Sequence, residues 1–545
     1  MINYYEIQSN NIISQYGGIG SIIDTPEGSV MISNLDAWPY YHHKINGKDR
    51  DYLLNVSVND IRLIDRLRYI FPNLQYLLKI PLNATENKGN RVKDKENLIS
   101  AEVFPHWMHC PRCNRFMHER DWAESHKLRN RKGQFSRYCP FCDFDENTRK
   151  RRSVRLEQVR FIRVSKDGSI SDFPWEKWFK SRINSPEQCQ KHELTYKKAT
   201  NPDSVDSIWI SCSQCKQSTS LTGIFNYNYD DSKDRTVLKS SNSVYFPAII
   251  RSLMIPRKLT NNHCTGLNES DYRDAELSFM LAAVNDDIDP DECLIHLKSM
   301  PRISDTVSLI SIRSLTMVAV LCSYSRLSPI NPGYIWVDGS SRHVTNAKFN
   351  TSFLPASELL GEGFLICFKD TILRNHYEKV KDMSNFRQRL YAHYKSLESY
   401  NPFGFEEVDE YCLFKYVALH SLAHILIKQL ESVCGYPASS INERIYSTGK
   451  HHSGIMIYTV AGSEGSYGGI VTLTERGDIP KLLEDALDKA QYCTNDPVCY
   501  KDKSVCFSCM YLPETSCEAF NSLLDRTFLV DKQYGVSSLL SLKTD

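Results

Sequence analysis

The sequence predicts a multidomain protein of mixed α+β and α/β architecture, with several small cysteine-rich modules and a C-terminal α/β domain. Three observations support this prediction. The chain has 545 residues, which is too long for one hydrophobic core. Its 18 cysteines include several C-x2-C pairs, which are typical of small metal-stabilised modules. Near the C-terminus, helical and strand-like segments alternate, as they do in α/β domains.

The composition excludes several classes of protein. With 41% hydrophobic residues, 24% charged residues and a formal net charge of +1, the chain has no global attraction to nucleic acid, so any DNA contact requires a local basic patch. The start MINYYEIQSN lacks the basic and apolar regions of a signal peptide. No run of about 18 uncharged apolar residues could span a membrane. The chain has 18 cysteines and no recognisable export signal, so we expect a cytoplasmic protein. In the reducing cytoplasm, cysteines bind metals rather than form disulfides.

The strongest metal signal is a pair of C-x2-C motifs in FPHWMHCPRC and YCPFC. Cys110 and Cys113 form the first motif, and Cys139 and Cys142 form the second. Four thiolates complete the tetrahedral shell of a structural Zn²⁺ ion and leave no position open for substrate, which predicts a zinc-ribbon-like module. The neighbouring histidines are interpreted as bystanders: His109 and His118.

A second cluster follows with C-x2-H and C-x2-C spacing. Its predicted ligands are Cys189, His192, Cys212 and Cys215. A Cys3His set of this kind is a second zinc module, although Cys189 and His192 could instead be purely structural.

A third cluster lies in Tyr492–Arg526, which contains five cysteines. Small buried core residues are the alternative interpretation, but the density of cysteines favours a zinc knot that caps the C-terminal domain. The preferred ligands are Cys493, Cys499, Cys506 and Cys509, with Cys517 as the substitute. The three clusters together predict about three structural Zn²⁺ ions.

Basic residues are concentrated between Lys127 and Arg163, where twelve Lys or Arg residues accompany four acidic ones. Such a run is either a solvated face or a patch that contacts phosphates. The candidate nucleic-acid-binding residues are Arg149, Lys150, Arg151, Arg152 and Arg155.

The segment EYCLFKYVALHSLAHILIKQLESVCGY predicts a helix that ends at Gly435. His420 and His424 share one face of it, but the glutamate of a metalloprotease helix is missing, so we interpret both as structural. GIMIYTVA predicts a strand, and Ile479–Gln491 predicts a helix. Between them, GSEGSYGG lacks the lysine of a phosphate-binding loop, and the following IVTL is interpreted as a strand.

These signals divide the chain into five predicted regions. They are a β-rich region at 1–100, the first zinc-ribbon-like module with its basic segment at 101–165, the second zinc module at 166–235, a middle α/β region at 236–400 and the C-terminal α/β domain at 401–545.

Several motifs together resemble the DrmB family of the bacterial DISARM anti-phage defence system. They are SQYGGIGSIIDTPEGSVMISNLDAW, FPHWMHCPRC, RFIRVSKDGSISDFPWEKW, SVYFPAIIRSLMIP, GEGF, HSLAHILIKQL and the run from GSYGG to PETSCEAFNSLLDR. The C-terminal part also resembles the cysteine-rich domain at the end of some bacterial superfamily-two helicases. Where the family usually has a cysteine and a Gly-His pair, this chain has VSKDGS, so any ligand role there is lost.

The resemblance implies a complex with a helicase partner, DrmA, that engages invading DNA. We therefore expect a non-catalytic, zinc-stabilised accessory subunit that binds phage DNA, single- or double-stranded, beside its helicase. One alternative is a nuclease or other phosphodiesterase that uses His420, His424 or the glycine-rich segment. The other is a protein scaffold without DNA contact. The sequence contains no Walker A motif and no grouped carboxylates at metal-binding spacing, which argues against the enzyme.

Overall fold

The computed structural model describes most of the chain. The described residues are 13, 17–39, 53–54, 56–79, 86–87, 91–92, 98–128, 137–142, 154–184, 186–189, 192–198, 204–227, 234–255, 269–284, 295–329, 335–336, 352–398, 401–403, 408–459, 469–501, 504–513 and 516–540. The chain forms two compact units: the first consists of 1–53, 81–248 and 322–347, and the second of 54–80, 249–321 and 348–545. The predicted multidomain α+β architecture is confirmed, while the finer division into five regions stays a prediction.

The first unit is built from small sheets. Its described residues contain four antiparallel sheets of three strands each, and two helices. In sheet order, the strands are Ile22–Thr25, Gly28–Ile32 and Ala101–Val103; Phe116–His118, Trp107–His109 and Glu157–Gln158; Ile170–Asp172, Phe161–Val164 and Arg235–Leu238; and Leu194–Lys198, Ile208–Cys212 and Ser218–Ser220. The helices are Glu119–Leu128 and Trp175–Arg182, and Glu86–Asn87 pairs with Arg91–Val92 in a further short hairpin.

The N-terminal region contains a β-hairpin. Ile22–Thr25 pairs with Gly28–Ile32 in antiparallel register, after a turn in which Gly20 has a φ of 81°. Its amide donates to the carbonyl of Ile32 at 2.9 Å, which closes the turn onto the second strand. A left-handed φ of this kind favours glycine because glycine has no Cβ to clash with the backbone.

The second unit is organised around one large mixed sheet. In spatial order its main strands are Phe246–Leu253, Val307–Ser325, Phe353–Lys369, His452–Thr459 and Ile441–Tyr446. Tyr76–Lys79 adds in parallel to the start of Phe353–Lys369, and His296–Ser299 pairs with Val307–Ser325. Ile335–Trp336 pairs with the last residues of Val307–Ser325, and both of these segments lie within the range of the first unit. The predicted strand at GIMIYTVA is confirmed, as part of His452–Thr459. FLICF lies in the interior of Phe353–Lys369.

Side chains alternate between the two faces of this sheet. Phe364, Ile366 and Phe368 join the core around the helix Glu410–Cys434, which we call the central helix. Leu365 and Cys367 point to the opposite face, where they join the core around the helix Glu269–Ala283. The two-residue period of a strand therefore separates two cores, one for each helical layer.

The central helix is apolar on nearly all sides, as a helix enclosed by neighbours must be. It ends where predicted, because Gly435 has a φ of 71° and its amide donates to the carbonyl of Glu431 at 3.2 Å. The other helices of the described second unit are Ile61–Leu67, Asp370–Val380, Ser384–Ser396, Gly469–Arg476, Ile479–Ala490, Val498–Lys501 and Thr527–Val530.

One predicted element is wrong. IVTL belongs to the helix Gly469–Arg476 and not to a strand. Ile470 and Thr474 are buried and Leu473 packs against the core, a spacing of three and four residues that matches one helix face. A segment of four residues is too short to distinguish a helical period from the alternation of a strand. Its conformation therefore depends on how its side chains pack against the surrounding core. No helix among the described residues is both long enough and apolar enough to cross a membrane.

Candidate metal centres

The first centre lies between two short strands of the first unit. Cys110 and Cys113 occupy the turn that joins Trp107–His109 to Phe116–His118, and a second turn brings in Cys139 and Cys142. The Sγ atoms of Cys110 and Cys142 are 3.8 Å apart, and those of Cys113 and Cys139 are 3.7 Å apart. Four sulfurs at about 2.3 Å from one Zn²⁺ ion lie about 3.8 Å from one another, so the four thiols fit a tetrahedral zinc ion.

The backbone of this turn repeats in the second centre. Asn114 follows Cys113 with a φ of 60°, and Lys216 follows Cys215 with a φ of 62°. The amide of Asn114 donates to the carbonyl of Cys110 at 2.9 Å, and the amide of Lys216 donates to that of Cys212 at 3.1 Å. The same local turn therefore places each C-x2-C pair on one side of its hairpin.

The second centre contains the predicted Cys3His set. Cys189 Sγ is 4.0 Å from Cys212 Sγ, and Cys215 Sγ is 3.8 Å from Nδ1 of His192. Nε2 of His192 donates to the carbonyl of Pro186 at 3.1 Å, because a carbonyl oxygen can only accept. That hydrogen bond leaves the lone pair of Nδ1 directed at the three sulfurs, which is the arrangement found when a histidine binds a metal.

The third centre lies in the second unit. Cys493 Sγ is 3.4 Å from Cys506 Sγ, and Cys509 Sγ is 3.7 Å from both Cys499 Sγ and Cys506 Sγ. Cys506 also accepts a hydrogen bond from the side chain of Asn495 at 3.4 Å. The two distances of 3.7 Å match the edges of a tetrahedral zinc site, and the distance between Cys493 and Cys506 is shorter than such an edge by about 0.4 Å.

Some thiols in these centres are poised to ionise. The hydrogen bond with Cys139 lowers the pKa of Cys113 to about 4. Burial opposes ionisation of Cys506, but the hydrogen bond from Asn495 and those from the backbone overcome it and lower its pKa to about 6. Because the thiolate is the form that binds a metal, both effects favour metal binding near neutral pH.

Cys517 does not join the third centre. It lies in a separate, fully buried group with His420, His424 and Glu443, whose ligand atoms are all within 4.8 Å of one another. The sequence pattern favours a structural role for the two histidines and does not single out Glu443. The sequence offers two signals, the spacing of the histidines on one helix face and the place of Cys517 among the candidate zinc ligands. It does not show that they belong to one group, because the segments that carry them are distant in sequence.

The neighbouring histidines of the first unit lie outside the four-cysteine group. Nδ1 of His109 donates to the carbonyl of Glu157 at 3.1 Å, in the tautomer that a carbonyl partner requires. His118 stacks on His106, whose Nδ1 is 2.7 Å from Asp172 Oδ2. The hydrogen bond to Asp172 raises the pKa of His106.

The predicted nucleic-acid-binding residues are mostly outside the described residues. Arg149, Lys150, Arg151 and Arg152 belong to the segment 143–153, whose structure is not described. Arg155 is described: it is exposed, and its backbone pairs with Tyr138, the residue before Cys139. Of the glycine-rich segment, only Gly469 is described, as the first residue of its helix.

Comparisons with known proteins match both ends of the chain. Residues 8–247 match a family described as a domain of unknown function, DUF8724. Residues 422–510 match the family described as the MrfA Zn-binding domain, a range that includes the third centre. Over 606 aligned residues the chain is 25% identical to the DISARM protein DrmB of Bacillus paralicheniformis, covering 93% of this chain and 97% of that protein.

Proposed function

We propose that this chain, a homologue of DrmB, acts in anti-phage defence as a non-catalytic, zinc-stabilised accessory subunit that binds DNA. The observation that carries the proposal is the match of residues 422–510 to a Zn-binding domain, in a region where four thiols lie at tetrahedral spacing. Similarity to DrmB along nearly the whole chain supports the same role for both units.

Zinc has a structural role in this proposal. Each centre offers four protein ligands, so a bound Zn²⁺ ion keeps no open position for water or substrate and supplies only a cross-link. About three ions are held by these ligands: Cys110, Cys113, Cys139 and Cys142; Cys189, His192, Cys212 and Cys215; and Cys493, Cys499, Cys506 and Cys509. In the first unit the cross-links fix turns whose flanking strands contain only three to five residues.

The partner in this proposal is a superfamily-two helicase that resembles DrmA. The Zn-binding domain at residues 422–510 coincides with the part of the chain that resembles the C-terminal cysteine-rich domain of such helicases. Co-purification of the chain with the helicase encoded beside it tests the partnership, and a chain that never retains the helicase would argue for a different partner.

DNA contact is assigned to the basic residues beside the first centre. Arg155 is exposed and its backbone forms an isolated β-bridge with Tyr138, the residue before Cys139, so a zinc ion at the first centre would fix the backbone at one end of the basic run. Lys and Arg residues that contact phosphates release counterions, and such binding is independent of sequence and sensitive to salt.

Charge reversal tests this assignment. Replacing Arg149, Lys150, Arg151 and Arg152 by Glu should weaken binding about equally for unrelated DNA sequences. The slope of log affinity against log salt should flatten by roughly 0.9 for each phosphate of duplex DNA that the variant no longer neutralises. The measurement is fluorescence anisotropy at several salt concentrations.

A matched control reverses four exposed basic residues of the second unit: Lys379, Arg387, Lys395 and Lys481. Equally weakened binding in both variants would indicate a general charge effect, and unchanged affinity in the first variant would assign the basic run to a solvated face.

The chain alone should neither hydrolyse ATP nor cut DNA. The sequence has no glycine-rich loop ending in Gly-Lys-Ser/Thr, although a helix does follow its glycine-rich segment. His420 and His424 have no exposed surface, so a DNA strand cannot reach them. Measuring phosphate release and strand cleavage with Mg²⁺ checks this, and activity that disappears in a His420→Asn variant would overturn the non-catalytic assignment.

A further inference from the structure

The buried group of His420, His424, Glu443 and Cys517 brings together residues from three separate segments. The two histidines are one turn apart on the central helix, so they project from the same face. Glu443 comes from the strand Ile441–Tyr446 and Cys517 from the loop before the helix Thr527–Val530. Each of the four residues is at most 2% exposed.

In both imidazole rings the same nitrogen, Nδ1, faces a backbone carbonyl. Nδ1 of His420 is 3.3 Å from the carbonyl of Leu523, and Nδ1 of His424 is 3.0 Å from the carbonyl of Met510. Because a carbonyl oxygen only accepts, each Nδ1 must carry the hydrogen. Both Nε2 atoms therefore turn towards a common point, as in histidines whose second nitrogen binds a metal.

The side chains of Glu443 and Cys517 also face this point. Oε1 of Glu443 is 2.8 Å from Nε2 of His420 and 3.2 Å from Nε2 of His424. Sγ of Cys517 is 3.2 Å from Nε2 of His420, and it accepts the backbone N–H of Asn521 at 3.3 Å. Oε2 of Glu443 is buried and has no hydrogen-bond partner among the described residues.

While Cys517 is a neutral thiol, hydrogen bonding alone does not satisfy both the charges and the lone pairs of this group. If both Nε2 atoms donate to Glu443, two imidazolium cations share one carboxylate in a site without solvent, which leaves a buried positive charge unpaired. If only one ring is protonated, the lone pair of the other Nε2 faces the carboxylate oxygen. A divalent cation with two neutral imidazoles, one carboxylate and one thiolate has no net charge.

We propose that Nε2 of His420, Nε2 of His424, the carboxylate of Glu443 and Sγ of Cys517 bind a further Zn²⁺ ion. Zinc accepts this mixture of nitrogen, oxygen and sulfur ligands in tetrahedral geometry. With Zn–N and Zn–O bonds of about 2.0–2.1 Å, neighbouring N and O ligands lie about 3.3 Å apart. The distance of 3.2 Å from Glu443 to His424 matches this value, and the distance of 2.8 Å from Glu443 to His420 is shorter by about 0.5 Å.

Four protein ligands make this a closed site, so its role is to tie the central helix, its neighbouring strand and the C-terminal loop together. This site is independent of the proposed function, which requires only the three cysteine-rich centres.

Metal analysis of the purified full-length chain tests the proposal. The wild-type protein should contain one more zinc ion than either of two variants, Glu443→Gln and Cys517→Ser. A matched control is His376→Gln, since His376 is also buried and its Nε2 donates to the carbonyl of Tyr534 at 2.9 Å without joining the group. The control should retain the wild-type zinc content. Equal zinc content in wild type and in folded Glu443→Gln and Cys517→Ser would overturn the proposal.

X-ray absorption at the zinc edge of the wild-type protein decides the question even if the variants fail to fold. The three cysteine-rich centres alone would give nearly four sulfur ligands per zinc, because only His192 contributes a nitrogen. A fully loaded further site, with one sulfur and three lighter ligands, lowers the average to about three. An average near four, with about three zinc ions per chain, would contradict the further site.

Discussion

The two units of this protein reach stability in different ways. Around the first metal centre, the core of the described residues has six buried side chains, and three of them are cysteines of the centre itself. In the second unit, one continuous core surrounds the central helix and includes buried side chains from Ile303 to Leu540. Thiols thus make up half of the buried core around the first centre, whereas most of the third centre's thiols lie outside or at the margin of the core around the central helix.

This difference shows where the free energy of metal binding can compensate for limited burial of apolar surface. Sheets with strands of two to five residues bury too little apolar surface to offset the conformational entropy lost on folding. A zinc site adds binding free energy that is available only in the folded state. The second unit does not depend on a metal to the same degree, because its sheet is covered on both faces by packed helices.

The largest expected effect is loss of the first centre. Replacing Cys110 and Cys113 with Ser should unfold the module around it, because apparent zinc-binding free energies of small domains are on the order of 10 kcal/mol and are folding free energy there. Limited proteolysis should show new cleavage within 101–165, together with the loss of one zinc ion. The control is Cys434→Ser, a partly buried cysteine outside every group. A double variant that resists protease like the wild type would break the comparison between the units.

A smaller effect is expected from a buried ion network in the second unit. Glu276 is fully buried and receives two hydrogen bonds from Arg444, at 2.7 and 2.9 Å, and one from Arg62 at 2.9 Å. Glu276→Ala removes the carboxylate that pairs with Arg62 and leaves Arg444 with the more distant Glu518, at 3.3 Å, so it should lower the free energy of unfolding by about 3–5 kcal/mol. Chemical denaturation monitored by circular dichroism measures the change.

The same carboxylate predicts a dependence on pH. Burial alone would raise the pKa of Glu276, but Arg444 and Arg62 outweigh it and lower the pKa below its ordinary value of 4.5. A lowered pKa means that the stabilisation is present above about pH 4.5 and is lost as the pH falls towards the folded-state pKa. The difference in stability between wild type and Glu276→Ala should therefore shrink in acid, and a constant difference from pH 7 to pH 3 would contradict this account.

The smallest effect is expected at Glu475, which provides the matched comparison for Glu276. It pairs with Arg313 at 2.7 Å and with Lys298 at 3.1 Å, so it also has two cationic partners, but these partners are half-exposed. Solvent and salt screen such pairs, so Glu475→Ala should leave the melting temperature unchanged within error. Hydrogen bonds from the same two partners lower its pKa to about 2, which an NMR titration of the carboxyl group can check. A destabilisation as large as that of Glu276→Ala would show that burial does not separate the two networks.

Local sequence patterns are enough to predict the cysteine-rich groups and the central helix. Cys110 with Cys113, and Cys506 with Cys509, are close because one tight turn spans the two residues between them, and that geometry is local. The central helix follows from a helical pattern long enough to be unambiguous, and Gly435 marks its end because glycine tolerates a positive φ.

Two features depend on packing between distant segments and become visible only in the tertiary structure: the buried group of His420, His424, Glu443 and Cys517, and the conformation of IVTL. His420 and Cys517 are 97 residues apart, and Glu443 reaches His424 from a strand 19 residues further along the chain. IVTL became helical because its apolar side chains fit one face against the core. Local spacing in the sequence does not predict such contacts, because they form only when the sheet and the central helix pack together. The tertiary structure therefore places a carboxylate and a thiol beside two histidines that the sequence pattern indicated only as structural.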